Sequence, residues 1–298
     1  MTDQGVEQKP SATAFYAALR RSLANKKYGD EKFGPDYLAD LFLPPHFRFF
    51  LKFKSIIKNT TLELDEVLPG LNDYMIARTV YFDKLFREAL KSEVPQIVLM
   101  GAGYDTRAYR FAEFNQATRI FELDIAPTQE KKMKCLRKGR VDIPEQVIFV
   151  PINFNRDSMA DVLRNAGFDE ERKTLFIWEG VTYYLESESV DATLEFVSSC
   201  SHPETAIAFD YTVSLSEDNI KDYFGVEAFV KTMKEEHGDE ELMFSIGDSE
   251  IELFLSARGL KLVEHLDNDE IEKAFLIKED GELTGQMTGH FRFVLASR

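Results

Sequence analysis

Two glycines separated by one residue follow a strongly apolar run of the chain. The run covers 96–100, and the turn after it reads Gly101-Ala102-Gly103. Glycine has no Cβ, so the backbone there can turn tightly and approach a ligand closely. Open parallel sheets bind ligands beyond the carboxyl ends of their strands. The pattern predicts a ligand-binding turn, although a plain structural turn would use the same residues.

This turn matches a nicotinamide dinucleotide poorly. The fingerprint for that ligand places a third small residue at the sixth position, where this chain has Thr106. The sequence therefore favours a ligand without a pyrophosphate bridge.

Acidic side chains end the second apolar run, 119–124. Glu122 and Asp124 share one face of the predicted strand, because side chains alternate along a strand. A carboxylate at this distance from the glycines can accept hydrogen bonds from both hydroxyls of a ribose. A ribose-binding site is therefore expected at this strand tip.

Polar and aromatic residues also follow the third and fourth apolar runs. Asn153 and Phe154 could hold an adenine ring by hydrogen bonding and stacking, although Asn153 alone is equally a turn residue. Glu179, Tyr183 and Tyr184 come after the fourth run. In a parallel sheet these tips meet at one edge, so we expect all of these residues to line one crevice.

The order of elements predicts an α/β fold. Apolar spacing is helical over 11–27, 36–43 and 71–90, and five short buried runs then alternate with helices. That alternation is typical of a parallel sheet covered on both faces. Two final strand-like runs, 260–265 and 290–295, have no convincing helix between them and are expected to pair antiparallel. A helical insertion is expected near 218–236, after the fifth strand.

Composition and charge narrow the class of partner. The 298 residues carry a formal net charge of -16, which disfavours nucleic acid, and the basic cluster between Lys131 and Arg140 is interpreted as a solvated helix face. No apolar run is long enough to span a bilayer, and the two cysteines suggest neither a disulfide framework nor a metal site. A cytoplasmic protein without a membrane partner or metal is expected.

Separated motifs in the first two thirds of the chain resemble a known family. Gly101 to Arg110 reads Gly-Ala-Gly-Tyr-Asp-Thr-Arg-Ala-Tyr-Arg, Phe121 to Asp124 reads Phe-Glu-Leu-Asp, and Glu179 to Leu185 reads Glu-Gly-Val-Thr-Tyr-Tyr-Leu. With Arg78 ahead of the first strand, these motifs resemble the leucine carboxyl methyltransferase family, which includes bacterial O-methyltransferases of small molecules.

The resemblance implies a class I methyltransferase fold, which is Rossmann-like. Its sheet would be seven-stranded and mostly parallel, with a last antiparallel strand. The chain would form a single domain, with a helical cap at 1–92, a core at 93–298 and an insertion near 213–246. We expect the cap to pack over the strand tips and close the site.

The resemblance also implies S-adenosyl-L-methionine as the cofactor. Arg78 would bind the carboxylate of its methionyl part, for which a planar guanidinium is suited. Gly101, Ala102 and Gly103 would let the backbone approach the same part. Glu179 would help to hold the amino group.

The remaining implied roles concern the adenosine part and the N-terminus. Asp124, together with Glu122, would bind the ribose. Asn153 and Phe154 would lie beside the adenine, although the family usually has Asp and Leu there. Arg21 is the candidate for the N-terminal basic residue that contacts the cofactor in this family.

The sequence names no catalytic residue. A base is needed only if the methyl acceptor is a hydroxyl, since a carboxylate is already ionised near neutral pH. Tyr183, Tyr184 and Tyr211 are candidates by position, and each is equally explained as a packing residue.

The expected reaction is O-methylation of a small, partly apolar molecule that lies between the cap and the tips of the fourth and fifth strands. Two alternatives stay open. One is a protein C-terminal carboxyl methyltransferase, and the other is a non-catalytic nucleotide-binding protein on the same scaffold. The sequence does not indicate an oligomeric state.

Overall fold

The computed structural model describes residues 9–30, 32–236 and 242–298. Part of the predicted insertion and residues 1–8 of the predicted cap lie outside these ranges. The described helices are α1 (Ala12–Tyr28), α2 (Pro45–Phe50), α3 (Lys54–Val67), α4 (Leu71–Lys91), α5 (Arg107–Arg110), α6 (Ala126–Gly139), α7 (Met159–Asn165), α8 (Ser187–Ser199), α9 (Val226–Glu236), α10 (Ile251–Ser256) and α11 (Asn268–Phe275). The strands are β1 (Gln96–Met100), β2 (Arg119–Asp124), β3 (Val147–Pro151), β4 (Thr174–Trp178), β5 (Ala206–Thr212), β6 (Lys261–Leu266) and β7 (Phe291–Ser297).

The strands form one seven-stranded sheet in the order β3-β2-β1-β4-β5-β7-β6. Strands β1 to β5 pair in parallel, whereas β7 runs antiparallel to both β5 and β6. The predicted α/β fold with an antiparallel strand near its end is therefore confirmed. The chain order reverses between β1 and β4, and such a switch point opens a crevice at the carboxyl ends of the two strands.

Each face of the sheet has its own hydrophobic core. Ile97, Leu99 and Ile177 point to the face that α4 covers, while their neighbours Val98 and Phe176 point to the face that α8 covers. All of these side chains are at most 2% exposed. Burial on both faces explains why the strands appear in the sequence as continuous apolar runs rather than as alternating ones.

Helix α4 connects the N-terminal region with the sheet. Tyr74 stacks on Phe291 with a centroid distance of 3.9 Å, and Tyr81 stacks on Phe293 at 4.9 Å. Much of α4 therefore covers one face of the sheet. The lid expected for the whole N-terminal region is formed by α1, by α3 and by the first turns of α4, which line the cavity described below.

Several local predictions differ from the structure. The expectation that no helix lies between the last two strands was wrong, because α11 begins there with a reciprocal capping box between Asp267 and Glu270. The helix predicted over 36–43 is only a 3-10 turn at Ala39–Phe42, since Pro45 starts α2. Helices α2, α3 and α10 were not predicted. In the described ranges, no helix is both long and apolar enough to cross a membrane.

Candidate functional site

A cavity of about 660 Å³ opens at the carboxyl ends of β1, β2 and β4. Its walls come from α1, α3 and α4, from the loops that follow these strands, and from α9. This is the crevice that the strand order predicts. The glycine turn and most of the acidic residues selected from the sequence lie on its walls.

The glycine turn after β1 forms the floor of the cavity. Gly101 has φ 66° and Gly103 has φ 44°, a backbone region that glycine occupies without strain. A Cβ on Gly101 would lie 2.4 Å from Cγ2 of Val181. Ala102 anchors the turn by donating its N–H to the carbonyl of Leu123 at 2.8 Å. A side chain at position 101 would therefore close the approach between the first and fourth strand tips.

Asp124, at the tip of β2, faces the cavity and is held by two backbone amides and by the side chain of Thr128. Its carboxylate accepts N–H bonds from Gly103 at 2.6 Å and from Ile125 at 2.7 Å. Burial raises the pKa of Asp124, although these two amides oppose the shift. No ion pair to Asp124 occurs among the residues that the structure describes. Its other lone pairs can accept hydroxyl donors, as the predicted ribose role requires.

Glu122 does not line the cavity, which corrects the expectation that it joins Asp124. It accepts hydrogen bonds from Nζ of Lys132 at 2.7 Å and from the hydroxyl of Tyr109 at 3.0 Å, and it is 1% exposed. The physical reason is its depth in the strand. Two residues place Glu122 about 6.8 Å behind the tip, where α6 covers it with Lys132.

The residues after β3 divide differently from the prediction. Phe154 lines the cavity, as expected, together with Asn155. Asn153 does not, because its Oδ1 accepts the N–H of Asn155 at 3.0 Å and its own N–H is donated to Asp157 at 2.8 Å. Asn153 therefore shapes the turn that presents Phe154, which corrects its expected place beside the adenine.

Arg78 lines the cavity from α4 and is fixed by two carboxylates. Its Nε donates to Oε1 of Glu179 at 3.0 Å, and its Nη1 lies 3.6 Å from Oδ2 of Asp210. Asp210 is fully buried and also accepts the N–H of Gly180 at 2.6 Å and the hydroxyl of Tyr74. The guanidinium is thus oriented before any ligand arrives.

Glu179 lines the cavity, and its carboxylate is paired with two arginine side chains of the chain itself. Its second oxygen accepts from Nη1 of Arg107 at 2.6 Å, and Arg107 also pairs with Asp83 at 2.7 Å and with Asp105 at 2.6 Å. Arg107 and Asp105 were not selected from the sequence, although both belong to the quoted Gly101 to Arg110 motif. Their two-residue separation at the start of α5 was the available signal.

Two neighbouring arginines of α1 line the cavity, and they differ in whether a carboxylate is within ion-pair distance. Arg21, the residue selected from the sequence, pairs with Asp36 at 2.8 Å and donates to the carbonyl of Tyr104 at 2.8 Å. Arg20, which was not selected, is 7% exposed and donates to Oδ1 of Asn72. Burial lowers the pKa of Arg20 to about 10, and within the described part of the chain it has no carboxylate within ion-pair distance. Arg20 is therefore a buried cation that can still receive an anion.

Only two of the three tyrosines proposed as catalytic candidates reach the cavity. Tyr183 and Tyr184 line it, and the hydroxyl of Tyr183 accepts from Nη1 of Arg78 at 3.2 Å. Tyr211 is fully buried in the core on the other face, where its hydroxyl bonds Nε2 of His265 at 3.1 Å. Adjacent strand residues point to opposite faces, and Asp210 occupies the cavity side. Tyr211 is therefore excluded as a catalytic residue.

Metal ligation has no support in the described ranges, where no group of three or more His, Cys, Asp or Glu side chains is arranged to hold an ion. The groups that line the cavity are arginines, carboxylates, glycines and apolar side chains.

Two solved structures share this architecture over nearly the whole chain. The chain superposes on a methyltransferase-like protein from Thermobifida fusca with a TM-score of 0.59 and 16% identity, covering 97% of this chain and 95% of that one. A DUF574 family protein from Streptomyces avermitilis gives 0.59 and 15%, with coverages of 98% and 99%. At these identities the likeness concerns the fold, and it agrees with the class I methyltransferase architecture.

Comparison with sequence relatives extends the likeness from the fold to the family. YktD of Bacillus subtilis, provisionally named an S-adenosyl-L-methionine-dependent methyltransferase, is 30% identical over 72% of this chain and 70% of its own length. A relative from Mycolicibacterium smegmatis with the same provisional name is 30% identical over 64% of each chain. The leucine carboxyl methyltransferase model matches residues 14–198, which include every motif quoted above. The chain therefore belongs to the leucine carboxyl methyltransferase family and is a methyltransferase.

Proposed function

We propose that this chain transfers the methyl group of S-adenosyl-L-methionine to an oxygen atom of a small, partly apolar molecule. The family and the names of the relatives support the methyl donor. The observation that carries the acceptor proposal is one cavity in which the glycine turn and Asp124 meet an apolar wall from the cap.

The residues present fit the adenosine part of this cofactor. Asp124 has acceptor capacity left for a ribose hydroxyl, because a carboxylate has about four acceptor sites and its contacts here are two backbone amides and Thr128. Phe154 offers an aromatic face and Asn155 an amide at the adjacent tip. The cavity of about 660 Å³ lies within the range of roughly 300–1,000 Å³ that is usual for small-molecule sites. This volume leaves room for an acceptor of modest size beside the cofactor.

The methionyl part of the cofactor carries a carboxylate and an ammonium group, and both charges have partners here. Arg78 presents a guanidinium group to the cavity, and Glu179 presents a carboxylate held between Arg78 and Arg107. Fixed charges of both signs bind a zwitterion better than mobile ones, since less side-chain freedom is lost on binding. The network thus supports a zwitterionic ligand end.

When bound, the cofactor supplies a methyl group activated on a positively charged sulfur. The task of this chain's residues is to hold the acceptor oxygen in line with that methyl group and to exclude water, which can contribute roughly 7–11 kcal/mol to lowering the barrier. The apolar side of the cavity suits this task. It is lined from α3, α4 and α9 by Leu64, Val67, Leu68, Leu71, Phe229 and Met233, with Met243 beyond α9.

Within the acceptor class, the lining favours a carboxylate over a hydroxyl. The described residues around the cavity include no histidine, lysine or cysteine. Burial raises the pKa of Tyr183 well above its ordinary value, and its neighbour Asp210 adds to the shift, so the phenol stays protonated near neutral pH. Burial alone would raise the pKa of Asp105, but the charges of Arg107 and Lys132, together with the Arg107 amide, lower it to about 2. An acceptor that is already ionised needs no base, and Arg20 supplies a cation for it.

A methyl-transfer assay with the full chain tests the proposal. The chain is incubated with methyl-labelled S-adenosyl-L-methionine and matched pairs of apolar carboxylic acids and alcohols, and with peptides that end in a free carboxylate. We expect label in the small molecules, released as methanol by alkali when the product is a methyl ester. Asp124→Asn serves as the cofactor-site control and should reduce transfer to every acceptor.

The assay also distinguishes the alternatives. Label found only in peptides would replace the small-molecule proposal with a protein carboxyl methyltransferase. Binding of NAD without binding of S-adenosyl-L-methionine, measured by calorimetry, would replace it with a nucleotide-binding protein.

A further inference from the structure

One surface of the N-terminal region exposes three phenylalanines, one of which contacts the other two. Phe49, Phe50 and Phe53 are 56%, 50% and 49% exposed. The ring of Phe49 meets those of Phe50 and Phe53 edge to face, with centroid distances of 5.9 and 5.7 Å. Leu51 and Ile57, by contrast, are buried against α1 in a small core of their own. The phenylalanines therefore form an apolar patch that the described part of the chain leaves exposed.

The chain around this patch is basic in a protein that is otherwise acidic. From Leu41 to Leu62 there is no Asp or Glu, although the net charge of the whole chain is -16. Arg48, Lys52, Lys54 and Lys58 all lie in this stretch and are exposed. Among the described residues none of the four has an ion-pair partner. We call this stretch, with its phenylalanines and its cations, the α2–α3 surface.

Helix α6 extends the positive charge. Leu41, just before α2, lies so close to α6 that a Cβ on Gly139 would come within 2.7 Å of it. Burial raises the pKa of the Cys135 thiol on α6, and four nearby cations oppose that shift: Lys131, Lys138, Arg48 and Lys134. Arg48 thus lies in the same neighbourhood as the lysines of α6. The basic cluster that the sequence showed at 131–140 and the α2–α3 surface form one positively charged region.

We propose that the α2–α3 surface docks this protein on a membrane that contains anionic lipids. Phenylalanines that enter the boundary between headgroups and acyl chains, flanked by lysines and arginines that meet anionic headgroups, are the composition of interfacial membrane segments. Protein interfaces enrich phenylalanine but are depleted of lysine. The three lysines among the phenylalanines therefore favour a lipid surface over a second copy or another protein.

The position of this surface connects docking with the cavity. Helix α3, which begins in the α2–α3 surface, also supplies Leu64 and Val67 to the cavity wall, and Val67 is 48% exposed. Tyr16 of α1 lines the same cavity and is also 48% exposed. Helix α3 therefore connects the docked surface with the wall of the cavity that an apolar acceptor would enter. The docking itself is independent of the reaction proposed above.

Co-sedimentation of the full chain with two kinds of vesicle tests the proposal. One kind is phosphatidylcholine alone, and the other is three parts phosphatidylcholine to one part phosphatidylglycerol. We expect binding to the anionic vesicles that weakens as salt screens the charges. Lys52→Glu/Lys54→Glu should weaken it by more than about tenfold, since each cation near an anionic surface contributes about a fivefold factor. Phe49→Ser/Phe50→Ser/Phe53→Ser should weaken it similarly.

Matched controls use exposed residues at the opposite edge of the sheet. Lys261→Glu/Lys273→Glu changes the total charge by the same amount in β6 and α11, and Val263→Ser removes an exposed apolar side chain of β6. These variants should bind anionic vesicles as the unmodified chain does. Equal loss in control and patch variants would reduce the effect to net charge and overturn the proposal. So would absence of binding to anionic vesicles, or binding that salt leaves unchanged.

One further result would assign the surface to another occupant. If sedimentation equilibrium shows a dimer that the triple serine variant dissociates, and vesicles are not bound, the surface joins two copies of the chain and the membrane proposal fails.

Discussion

The two sides of the cavity stabilise their carboxylates in opposite ways. At the tip of β2, Asp124 is held by two backbone amides, with no ion pair among the described residues. At the tips of β4 and β5, Glu179 and Asp210 lie within 4.0 Å of Arg78, and Glu179 also binds Arg107. The first arrangement leaves an anion available to neutral donors, whereas the second builds a fixed array of both charges.

This difference shows how one crevice can suit a ligand with unlike ends. Hydroxyls are recognised by a carboxylate that has lone pairs to spare, and a carboxylate with an arginine partner would bind them less well. A zwitterion needs charges that are already oriented, because buried ions without partners are costly. The β2 side therefore fits a ribose, and the β4–β5 side fits an amino-acid moiety.

The strongest test of the comparison removes an arginine from the network. Arg107→Ala leaves Asp105 without its ion-pair partner and takes one cation each from Asp83 and Glu179. Because buried charges lose their partners, we expect the free energy of unfolding to fall by about 3–5 kcal/mol. Urea denaturation measures the change.

The control for this variant is Arg172→Ala, whose ion pair with Asp169 is half exposed at 60% and 50%. Exposed pairs contribute little, so its effect should be at most about 1 kcal/mol. Similar losses of unfolding free energy in the two variants would mean that the buried ion pairs contribute no more to stability than exposed ones.

The opposite side of the cavity is tested by Asp124→Asn. Losing the charge of this acceptor should cost about 1.5–3 kcal/mol of binding energy, which is about 10- to 100-fold in affinity for S-adenosyl-L-homocysteine. Isothermal titration calorimetry measures the change. Asp142→Asn, at an exposed position, is the control and should bind as the unmodified chain does. Unchanged affinity in Asp124→Asn would remove the ribose role.

A third carboxylate, that of Asp73, extends the comparison, because among the described residues it has neither a pair of backbone amides nor an arginine partner. Burial raises the pKa of Asp73 to about 6, and the nearby charge of Asp65 adds to the shift. The ordinary value of about 3.9 holds in the unfolded chain, so the folded chain binds the proton more tightly. The stabilisation is fully present below about pH 4 and is lost as the pH rises through 6.

Thermal melting at pH 4 and at pH 7.5 measures the contribution of Asp73 to the free energy of unfolding. We expect Asp73→Asn to be more stable than the unmodified chain at pH 7.5 by about 1–2 kcal/mol, and to differ little near pH 4. A stability difference that does not change with pH would show that folding does not raise the pKa of Asp73.

The smallest effect is expected from Tyr211→Phe. This hydroxyl bonds His265 on the face of the sheet away from the cavity, so its loss should cost at most about 1.5 kcal/mol of stability and leave kcat unchanged. Tyr183→Phe removes a hydroxyl that touches Arg78 and should weaken cofactor binding severalfold. A drop in kcat for Tyr211→Phe, with no drop for Tyr183→Phe, would show that Tyr211 contributes to catalysis.

The parallel part of the sheet was predictable because its central strands, β1 and β4, are buried on both faces. Continuous apolar runs marked β1, β2 and β4 with the bounds that the structure has, and the glycines after β1 identified the ligand-binding end. Helix α11 was missed, since it carries charged residues along most of its length and buries Ile271 on one side only. Its start is fixed by a capping box, which is a local signal that an apolar pattern does not contain.

The sequence by itself determined the family, the mostly parallel character of the sheet and the residue types at each strand tip. Those features depend on local patterns and on motifs in fixed order. Only the tertiary structure decided which of these residues face the cavity. Glu122 and Asp124 share one strand face, yet α6 brings Lys132 onto the first and the glycine turn brings amides onto the second. Arg20 and Arg21 are neighbours in α1, yet of the two only Arg21 pairs with Asp36. Which charge stays available depends on partners from distant elements, and a pattern of neighbours in the chain does not contain them.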